Sequence, residues 1–155
     1  MTDLKIRPVV YLDANPFIYF VEGAEDIAAP VRSLFALLET RPNLGVTSEL
    51  TLAEVLPKAQ TADKATYFDL ILWKRLLQLI PVSRSVLVAS AEYRRERSMQ
   101  GGGMPKLPDA VHVVSAIRAG CRVFVSNDER LELPVTIRKV RPRPDDIHAL
   151  LKDLA

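Results

Sequence analysis

The chain has 155 residues, of which 48% are hydrophobic, and a formal net charge of +2. This length can bury one sizeable core, so we predict a single α/β domain spanning residues 1–155. No uninterrupted apolar stretch is long enough for a transmembrane helix, and the mildly basic charge permits a nucleic-acid partner without requiring one.

The sequence also bears on the cell compartment. Cys121 is the only cysteine, so the chain cannot form an internal disulfide, which fits a reducing cytosol. Because Cys121 follows Gly120 and precedes an apolar run, a small buried side chain is its simplest interpretation. Residues 1–8 lack the basic-then-apolar layout of a secretion signal. We therefore expect a cytoplasmic protein that has no membrane partner.

Hydrophobic patterning in the first half of the chain predicts strands that alternate with helices. Residues 9–12 form a continuous apolar run rich in β-branched residues, which is typical of a strand covered on both faces. Pro16 suits the first position of a short helix after this strand. The other predicted elements here are a helix over 27–38, a strand over 44–47, a helix that Ser48 caps over 48–58, and a long amphipathic helix over 61–79.

The second half of the chain continues the alternation. A brief strand is predicted at residues 81–82, followed by a helix that Ser85 caps and that runs to residue 99. Three consecutive glycines then form a flexible break. The remaining predicted elements are a helix over 109–119 that Gly120 ends, strands over 123–126 and 135–140, and a helix over 145–154. This order predicts a mostly parallel sheet with helices on both faces.

Four acidic residues that are far apart in sequence occupy special places in this pattern. Asp13 and Asp128 each follow a strand, and the carboxyl ends of parallel strands meet at one edge of the sheet. Asp109 opens a helix whose first turn can face the same edge. Glu54 reaches that edge only if the axis of its helix leans over the strand ends. Carboxylates are costly beside a core unless they are paired or bound to metal, so one shared metal site would explain all four.

Oxygen ligands of this kind favour Mg²⁺ or Mn²⁺. One or two such ions can activate a water and stabilise the leaving oxygen in phosphodiester cleavage. Zinc is poorly supported, because His112 and His148 are the only histidines and are distant in sequence. His112 lies three residues after Asp109 and could support it by a hydrogen bond, although a packed histidine is the simpler interpretation.

Each acid also has an interpretation without a metal. Asp13 and Asp109 are suited to cap helices, and Asp128 is suited to cap a turn. Glu54 could complete a capping box with Thr51 and do nothing else. Four independent caps, however, would not need apolar strands that lead to them, so a common site explains the set better.

Four segments resemble the motifs of PIN-domain nucleases. Residues 9–18 are similar to the opening motif, with an apolar strand, an acid, a small residue and Asn15 before a short helix. Residues 47–56 resemble the second motif, which ends in its acidic residue. Residues 107–112 and 124–128 resemble the third and fourth motifs. The resemblance covers nearly the whole chain and keeps the order and spacing of the motifs.

The resemblance implies a three-layer α/β/α sandwich with a mostly parallel central sheet and a ribonuclease activity that depends on Mg²⁺ or Mn²⁺. Small members of this size are often VapC-like toxins of toxin–antitoxin pairs. They commonly form homodimers and are held by a small antitoxin that covers the active site. We therefore expect RNA as the substrate, an antitoxin as a partner, and a homodimer.

The resemblance also implies roles for individual residues. Asp13 and Asp109 would be the central metal ligands, and Glu54 and Asp128 would complete the acidic cluster directly or through water. The polar positions that support the acids by hydrogen bonds would be Asn15, Ser126 and Asn127. The chain departs from the family pattern in two places: Pro16 replaces the usual aliphatic residue, and the glycine segment before the third motif is long. Substrate preference and loop geometry therefore do not follow from the resemblance.

Two basic stretches are candidates for phosphate contacts. Their residues are Arg94, Arg95, Arg97 and Lys106 around the glycine segment, and Arg138, Lys139, Arg141 and Arg143 near the end of the chain. Such contacts hold nucleic acid without reading its bases. The first stretch alternates with glutamates, so an ordinary solvated helix face remains open. Trp73 is better explained by the core or a dimer interface than by base stacking.

Two alternative functions remain open from the sequence. A phosphatase of the haloacid dehalogenase type also begins with a strand that ends in Asp, but it needs a second Asp where this chain has Asn15. A PIN-like module that binds nucleic acid without cleaving it would keep the fold. It would have no reason to gather four repelling carboxylates.

Overall fold

The computed structural model describes residues 9–155, so the start that we compared with a secretion signal lies outside the described residues. One five-stranded sheet forms the centre of the fold. Its strands are β1 (Val10–Leu12), β2 (Gly45–Ser48), β3 (Leu77–Ile80), β4 (Val123–Val125) and β5 (Arg138–Val140).

Helices connect the strands and cover the sheet. They are α1 (Ala14–Glu22), α2 (Glu25–Thr40), α3 (Leu50–Val55), α4 (Thr61–Phe68), α5 (Arg84–Met99), α6 (Leu107–Ala119) and α7 (Pro144–Leu154). A π-helical segment, Asp69–Trp73, continues α4. No helix in the described part of the chain is both long and apolar enough to cross a membrane.

The strands are ordered β3-β2-β1-β4-β5, and every neighbouring pair is parallel. The chain builds outward from β1 through β2 to β3, and then returns to place β4 on the other side of β1. The strand order therefore reverses between β1 and β4. In parallel α/β sheets, the crevice beyond the carboxyl ends of such a pair is the usual ligand site.

Side chains alternate between the two faces of the sheet and give the three predicted layers. Val10, Leu12 and Val125 pack on one face in a core that α1, α2 and α7 cover. Tyr11 and Phe124 point to the opposite face, where they pack against α6. Because both faces are buried, the strands are continuous apolar runs rather than alternating ones. The predicted α/β/α sandwich is confirmed.

The predicted helix over residues 61–79 is wrong over residues 74–79. The helical structure ends with the π-helical segment, and Arg75 has a left-handed φ of 53°, which an α-helix cannot accommodate. Leu77 then begins β3, so the strand predicted at residues 81–82 is displaced. A short apolar run fits both a buried strand and a helical stripe, which explains the error. Trp73 is 68% exposed and is not part of this chain's core.

Several predicted helix boundaries also move. Ser83, rather than Ser85, caps α5, because its hydroxyl accepts a hydrogen bond from the backbone N–H of Val86. Helix α3 ends at Val55 rather than residue 58, since Pro57 has no backbone N–H to continue the helical hydrogen bonds. The predicted left-handed end at Gly120 is confirmed by its φ of 74°.

Smaller corrections concern the first helix and the last strand. Helix α1 begins at Ala14, so Pro16 is its third residue rather than its first. Strand β5 is limited to Arg138–Val140, and Val135 is fully exposed. Cys121 is buried as predicted, and burial raises the pKa of its thiol to about 12.

Gly45 has the tightest glycine packing against neighbouring side chains, and this predicts a stability effect. A Cβ at this position would lie 2.6 Å from Leu77 Cδ2 and 3.0 Å from Leu38 Cδ2. We expect Gly45→Ala to lower the free energy of unfolding by roughly 1–3 kcal/mol, the usual cost of overpacking. Chemical denaturation measures this loss. Gly102→Ala is the control, because its Cβ would meet no atom within 4 Å; equal losses in both variants would contradict the packing argument.

Candidate metal centre

Asp13 lies where β1 ends and α1 begins. Its Oδ1 accepts a hydrogen bond of 3.1 Å from the backbone N–H of Asn15, so Asp13 is the N-cap of α1. Burial raises the pKa of the Asp13 carboxyl to about 6, although a hydrogen bond with the Ser126 hydroxyl acts in the opposite direction. The predicted cap is confirmed, and the cap residue is also an acid whose charge is disfavoured by its surroundings.

Asp109 is in the first turn of α6, three residues after the N-cap position. Burial raises the pKa of its carboxyl, and the next largest contribution in that direction is the negative charge of Asp128. His112 and Lys106 lower the pKa of Asp109, whereas Glu54 raises it further. Asp109 is therefore near enough to Asp128 and to Glu54 to be repelled by both.

Asp128 follows β4 within a turn that hydrogen bonds define closely. Its Oδ1 accepts from the backbone N–H of Arg130 at 2.9 Å, which confirms the predicted turn cap. Its own N–H donates to the Ser126 hydroxyl at 3.1 Å, and Lys139 Nζ donates to its carbonyl at 2.9 Å. Ser126 thus contacts the segments of both Asp13 and Asp128, in agreement with its predicted supporting position.

Glu54 belongs to α3, and hydrogen bonds connect this short helix to the carboxyl ends of β1 and β2. The Thr47 hydroxyl in β2 donates to the carbonyl of Leu12 at 2.7 Å and is 2.8 Å from the hydroxyl of Thr51 in α3. These bonds fasten α3 to the end of β1. The capping box predicted for Thr51 and Glu54 is wrong, because Thr51 bonds to Thr47 and Glu54 bonds to His112. The predicted cap at Ser48 is supported, since its hydroxyl accepts a hydrogen bond of 3.1 Å from the backbone N–H of Leu50.

The Glu54 carboxylate contacts His112 rather than a helix terminus. His112 Nε2 forms a hydrogen bond with Glu54 Oε1, and His112 Nδ1 is 2.6 Å from the hydroxyl of Tyr11. His112 is only 3% exposed. The sequence suggested a supporting role next to Asp109, but the bonded acid is Glu54. Tyr11 was missed, because the strand pattern marks it only as a core residue.

The four acids occupy one edge of the sheet without forming a closed ligand cage. Each of Asp13, Glu54 and Asp128 has one oxygen engaged by a protein donor. Among residues 9–155, no three His, Cys, Asp or Glu side chains are arranged, as they stand, to hold one ion together. The all-oxygen donor set fits Mg²⁺ or Mn²⁺ better than zinc.

A cleft of about 810 Å³ opens beside these acids. Asp109 and Asp128 line it together with Arg97, Lys106 and Arg130. The residues Gly101, Gly102 and Gly103 also line it, and none of them is covered by neighbouring side chains. The cleft therefore combines negative and positive side chains around one opening.

The two predicted basic stretches have different surroundings. In the second stretch, Arg141 pairs with Glu129 at 2.8 Å and Arg138 pairs with Asp153 at 3.1 Å. Lys139 Nζ donates to the carbonyl of Asp128. The side chains of this stretch are therefore mostly paired with the turn after β4 and with α7. In the first stretch, Arg94 donates to the carbonyl of Pro105 and Arg97 pairs with Glu132.

Comparison with protein families decides the classification. The family model described as the PIN domain matches residues 10–134, which include all four acids. The chain belongs to the PIN domain family. Among curated proteins, no sequence matches it.

Solved PIN-fold structures resemble this PIN domain over most of its length. VapBC2 from Rickettsia felis, bound to a promoter DNA fragment, has 19% sequence identity and a TM-score of 0.64, covering 86% of this chain and 98% of that one. DNA-bound VapBC from Salmonella typhimurium has 19% identity and a TM-score of 0.63, covering 87% and 98%. FitAcB from Neisseria gonorrhoeae has 15% identity and a TM-score of 0.63, covering 86% and 98%. At these identities, the likeness concerns the fold.

The raised pKa of Asp13 predicts a dependence of stability on pH. Because the folded protein binds this proton more tightly than the unfolded chain, stability falls as the pH rises from about 4 through 6. Asp13→Asn keeps a good N-cap and removes the charge. In the presence of a chelator at pH 8, we expect this variant to be more stable by up to about 3 kcal/mol.

Thermal unfolding between pH 4 and pH 8 measures this difference. The advantage of Asp13→Asn over the parent protein should shrink as the pH falls below 6. Asp69→Asn, which changes an exposed carboxylate at the end of α4, is the control and should change little at any pH. A constant advantage of Asp13→Asn across the range would contradict the role of charge.

Proposed function

We propose that this PIN domain is a metal-dependent endoribonuclease that cleaves RNA phosphodiester bonds, and that it is the toxin of a toxin–antitoxin pair. The observation that carries the proposal is that acids from four remote segments lie at the edge of the sheet where the strand order reverses between β1 and β4. Burial and neighbouring carboxylates raise the pKa values of Asp13 and Asp109, which is the electrostatic environment that a divalent cation would relieve.

In this proposal, Asp13 and Asp109 hold Mg²⁺ or Mn²⁺ directly, and Glu54 and Asp128 complete the site directly or through water. The metal would activate a water and stabilise the departing oxygen. The protein's own contribution is to keep the carboxylates in place. The backbone of Asn15 and the hydroxyl of Ser126 hold two of the acidic segments by hydrogen bonds.

The cleft next to the acids is suited to the backbone of an RNA strand. Lys106 and Arg130 line it close to Asp109 and Asp128. Arg97 already pairs with Glu132, so Lys106 and Arg130 are the better candidates for phosphate contacts. Contacts of this kind attract and orient the strand but carry no base specificity. The identity of the RNA would depend on other contacts.

The antitoxin part of the proposal is supported by the kind of complex in which similar folds occur. VapBC2 and FitAcB are examples, and a toxin–antitoxin complex from Klebsiella pneumoniae has 19% identity and a TM-score of 0.60. We extend the proposal to a homodimer, because Leu87 and Val88 of α5 and Ile117 of α6 are exposed apolar side chains on two helices that pack together. An RNA-cleaving toxin would act in the cytoplasm.

The alternatives are less well supported. A haloacid dehalogenase-type phosphatase needs an acid at the position of Asn15, and here that position supplies a backbone donor to Asp13. Membership of the PIN domain family also does not favour it. A non-catalytic binding module would not require four acids at one edge of the sheet, because phosphates are attracted by positive charge.

Removal of single acids tests the cleavage reaction. We expect Asp13→Asn and Asp109→Asn each to lower the rate of RNA cleavage by orders of magnitude, because each removes charge that would stabilise the bound metal. Cleavage of labelled RNA in the presence of Mn²⁺, with EDTA as a parallel condition, measures the loss. EDTA should abolish cleavage by the parent protein.

The matched control is Asp69→Asn, which removes an exposed carboxylate outside the site and should cleave at the parent rate. Cleavage at the parent rate by Asp13→Asn or Asp109→Asn would refute the role of that residue. A parent protein that cleaves no RNA with Mn²⁺, or that hydrolyses a small phosphate ester instead, would refute the proposed function itself.

Neutralising the cleft tests substrate binding separately from chemistry. We expect Lys106→Gln combined with Arg130→Gln to raise KM for RNA by about tenfold while kcat changes little, since these side chains hold substrate and transition state alike. The salt dependence of binding should also fall by about 0.7 in logarithmic slope for each phosphate that the variant no longer neutralises. Lys152→Gln on α7 removes an exposed positive charge elsewhere and is the control. An unchanged KM and salt slope would exclude the cleft as the RNA path.

A further inference from the structure

A chain of hydrogen-bonded side chains leads from Glu54 into the centre of the sheet. His112 Nε2 bonds to Glu54 Oε1, and on the other side of the ring His112 Nδ1 is 2.6 Å from the Tyr11 hydroxyl. Tyr11 is 0% exposed and His112 is 3% exposed, so the inner bond is shielded from water. Both nitrogens of the imidazole therefore have defined partners inside the protein.

The chemistry of these groups fixes the direction of the hydrogen bonds. An ionised carboxylate only accepts, so the hydrogen between Glu54 and His112 belongs to Nε2. In a neutral ring, Nδ1 is then the acceptor, and the phenolic hydroxyl of Tyr11 is the donor that faces it. The bonds run in one direction, from Tyr11 through His112 to Glu54.

Tyr11 is well anchored, whereas Glu54 is not. Strand β1 holds Tyr11 between β2 and β4, and its ring stacks on Phe124 with the centroids 4.8 Å apart. Glu54 belongs to a six-residue helix, and its side chain is 29% exposed. Without a partner, a glutamate at such a place samples several rotamers, so the bond to His112 selects one of them.

We propose that Tyr11 and His112 are positioning residues that present the Glu54 carboxylate to the metal site. The inference rests on the proposed function in one respect, namely that Glu54 is a ligand, directly or through water. Hydrogen-bond partners that orient ligands commonly contribute about 10- to 100-fold to metal affinity. His112 orients the Glu54 carboxylate, and the hydrogen bond from the Tyr11 hydroxyl keeps the imidazole ring of His112 from rotating.

Mn²⁺ binding by isothermal titration calorimetry tests the proposal without RNA. We expect Tyr11→Phe, which keeps the aromatic stacking, and His112→Leu each to weaken Mn²⁺ binding by about 10- to 100-fold. His112→Gln should restore part of the affinity, because its amide can donate to Glu54. His148→Gln changes the other histidine, which is exposed on α7, and should leave the affinity unchanged.

A double-mutant cycle separates positioning from a general structural effect. In a Glu54→Gln background, Tyr11→Phe should have little further effect on Mn²⁺ affinity, since the carboxylate that it orients is gone. An equal loss in both backgrounds would overturn the proposal. Unchanged affinity in Tyr11→Phe would overturn it as well, even if the parent protein cleaves RNA.

Nitrogen-15 NMR of the histidine rings in metal-free protein gives a second readout, which does not depend on variants that could fail to fold. The chain has two histidines, so His148→Gln assigns the remaining ring to His112. We expect the hydrogen on Nε2; a hydrogen on Nδ1 alone would overturn the proposal. If the protein binds Mn²⁺ with these effects but cleaves no RNA, the proposed function fails and the positioning role stands. If the parent protein binds no Mn²⁺, both are refuted.

Discussion

The partial burial of neighbouring carboxylates is the constraint around which this structure is organised. Asp109 is destabilised in its charged form by burial and by Asp128, and Asp13 is destabilised by burial and, to a lesser extent, by Glu54. A fold gains nothing from bringing such groups together unless a cation or another positive partner is present for part of its working cycle. The free-energy cost of keeping these carboxylates charged at this edge is therefore the main physical reason to propose a metal site there.

The scaffold maintains this unfavourable arrangement with rigid local contacts. The strand order reverses between β1 and β4, so the segments after both strands emerge side by side. Thr47 fastens α3 to the end of β1 by way of the Leu12 carbonyl, and Ser126 contacts the segments of both strand-end acids. Backbone N–H groups hold the carboxylates of Asp13 and Asp128, and the buried ring of His112 holds that of Glu54. This rigidity keeps the carboxylates in position before an ion binds, which lowers the entropic cost of forming the site.

The sequence predicts the layers and the edge of the sheet because both depend on patterns within short segments. Buried parallel strands such as β1 and β4 are continuous apolar runs, and the acids that follow them are visible directly. Interactions between remote side chains leave no such pattern: Thr51 bonds to Thr47 rather than capping α3, and Glu54 bonds to His112 rather than to its own helix. The boundary between α4 and β3 was missed because the apolar run there fits both a strand and a helical stripe, and because the left-handed Arg75 before β3 has no distinctive sequence signal.

The proposed cleavage reaction requires a cation bound between the acids at this edge of the sheet. Its most direct test is a crystal structure of the protein grown or soaked with Mn²⁺, with data collected to locate the metal by its anomalous scattering. We predict a peak coordinated by Asp13 and Asp109, with Glu54 and Asp128 bound directly or through water. A well-ordered site at saturating Mn²⁺ with no anomalous peak between these carboxylates would contradict a shared metal site.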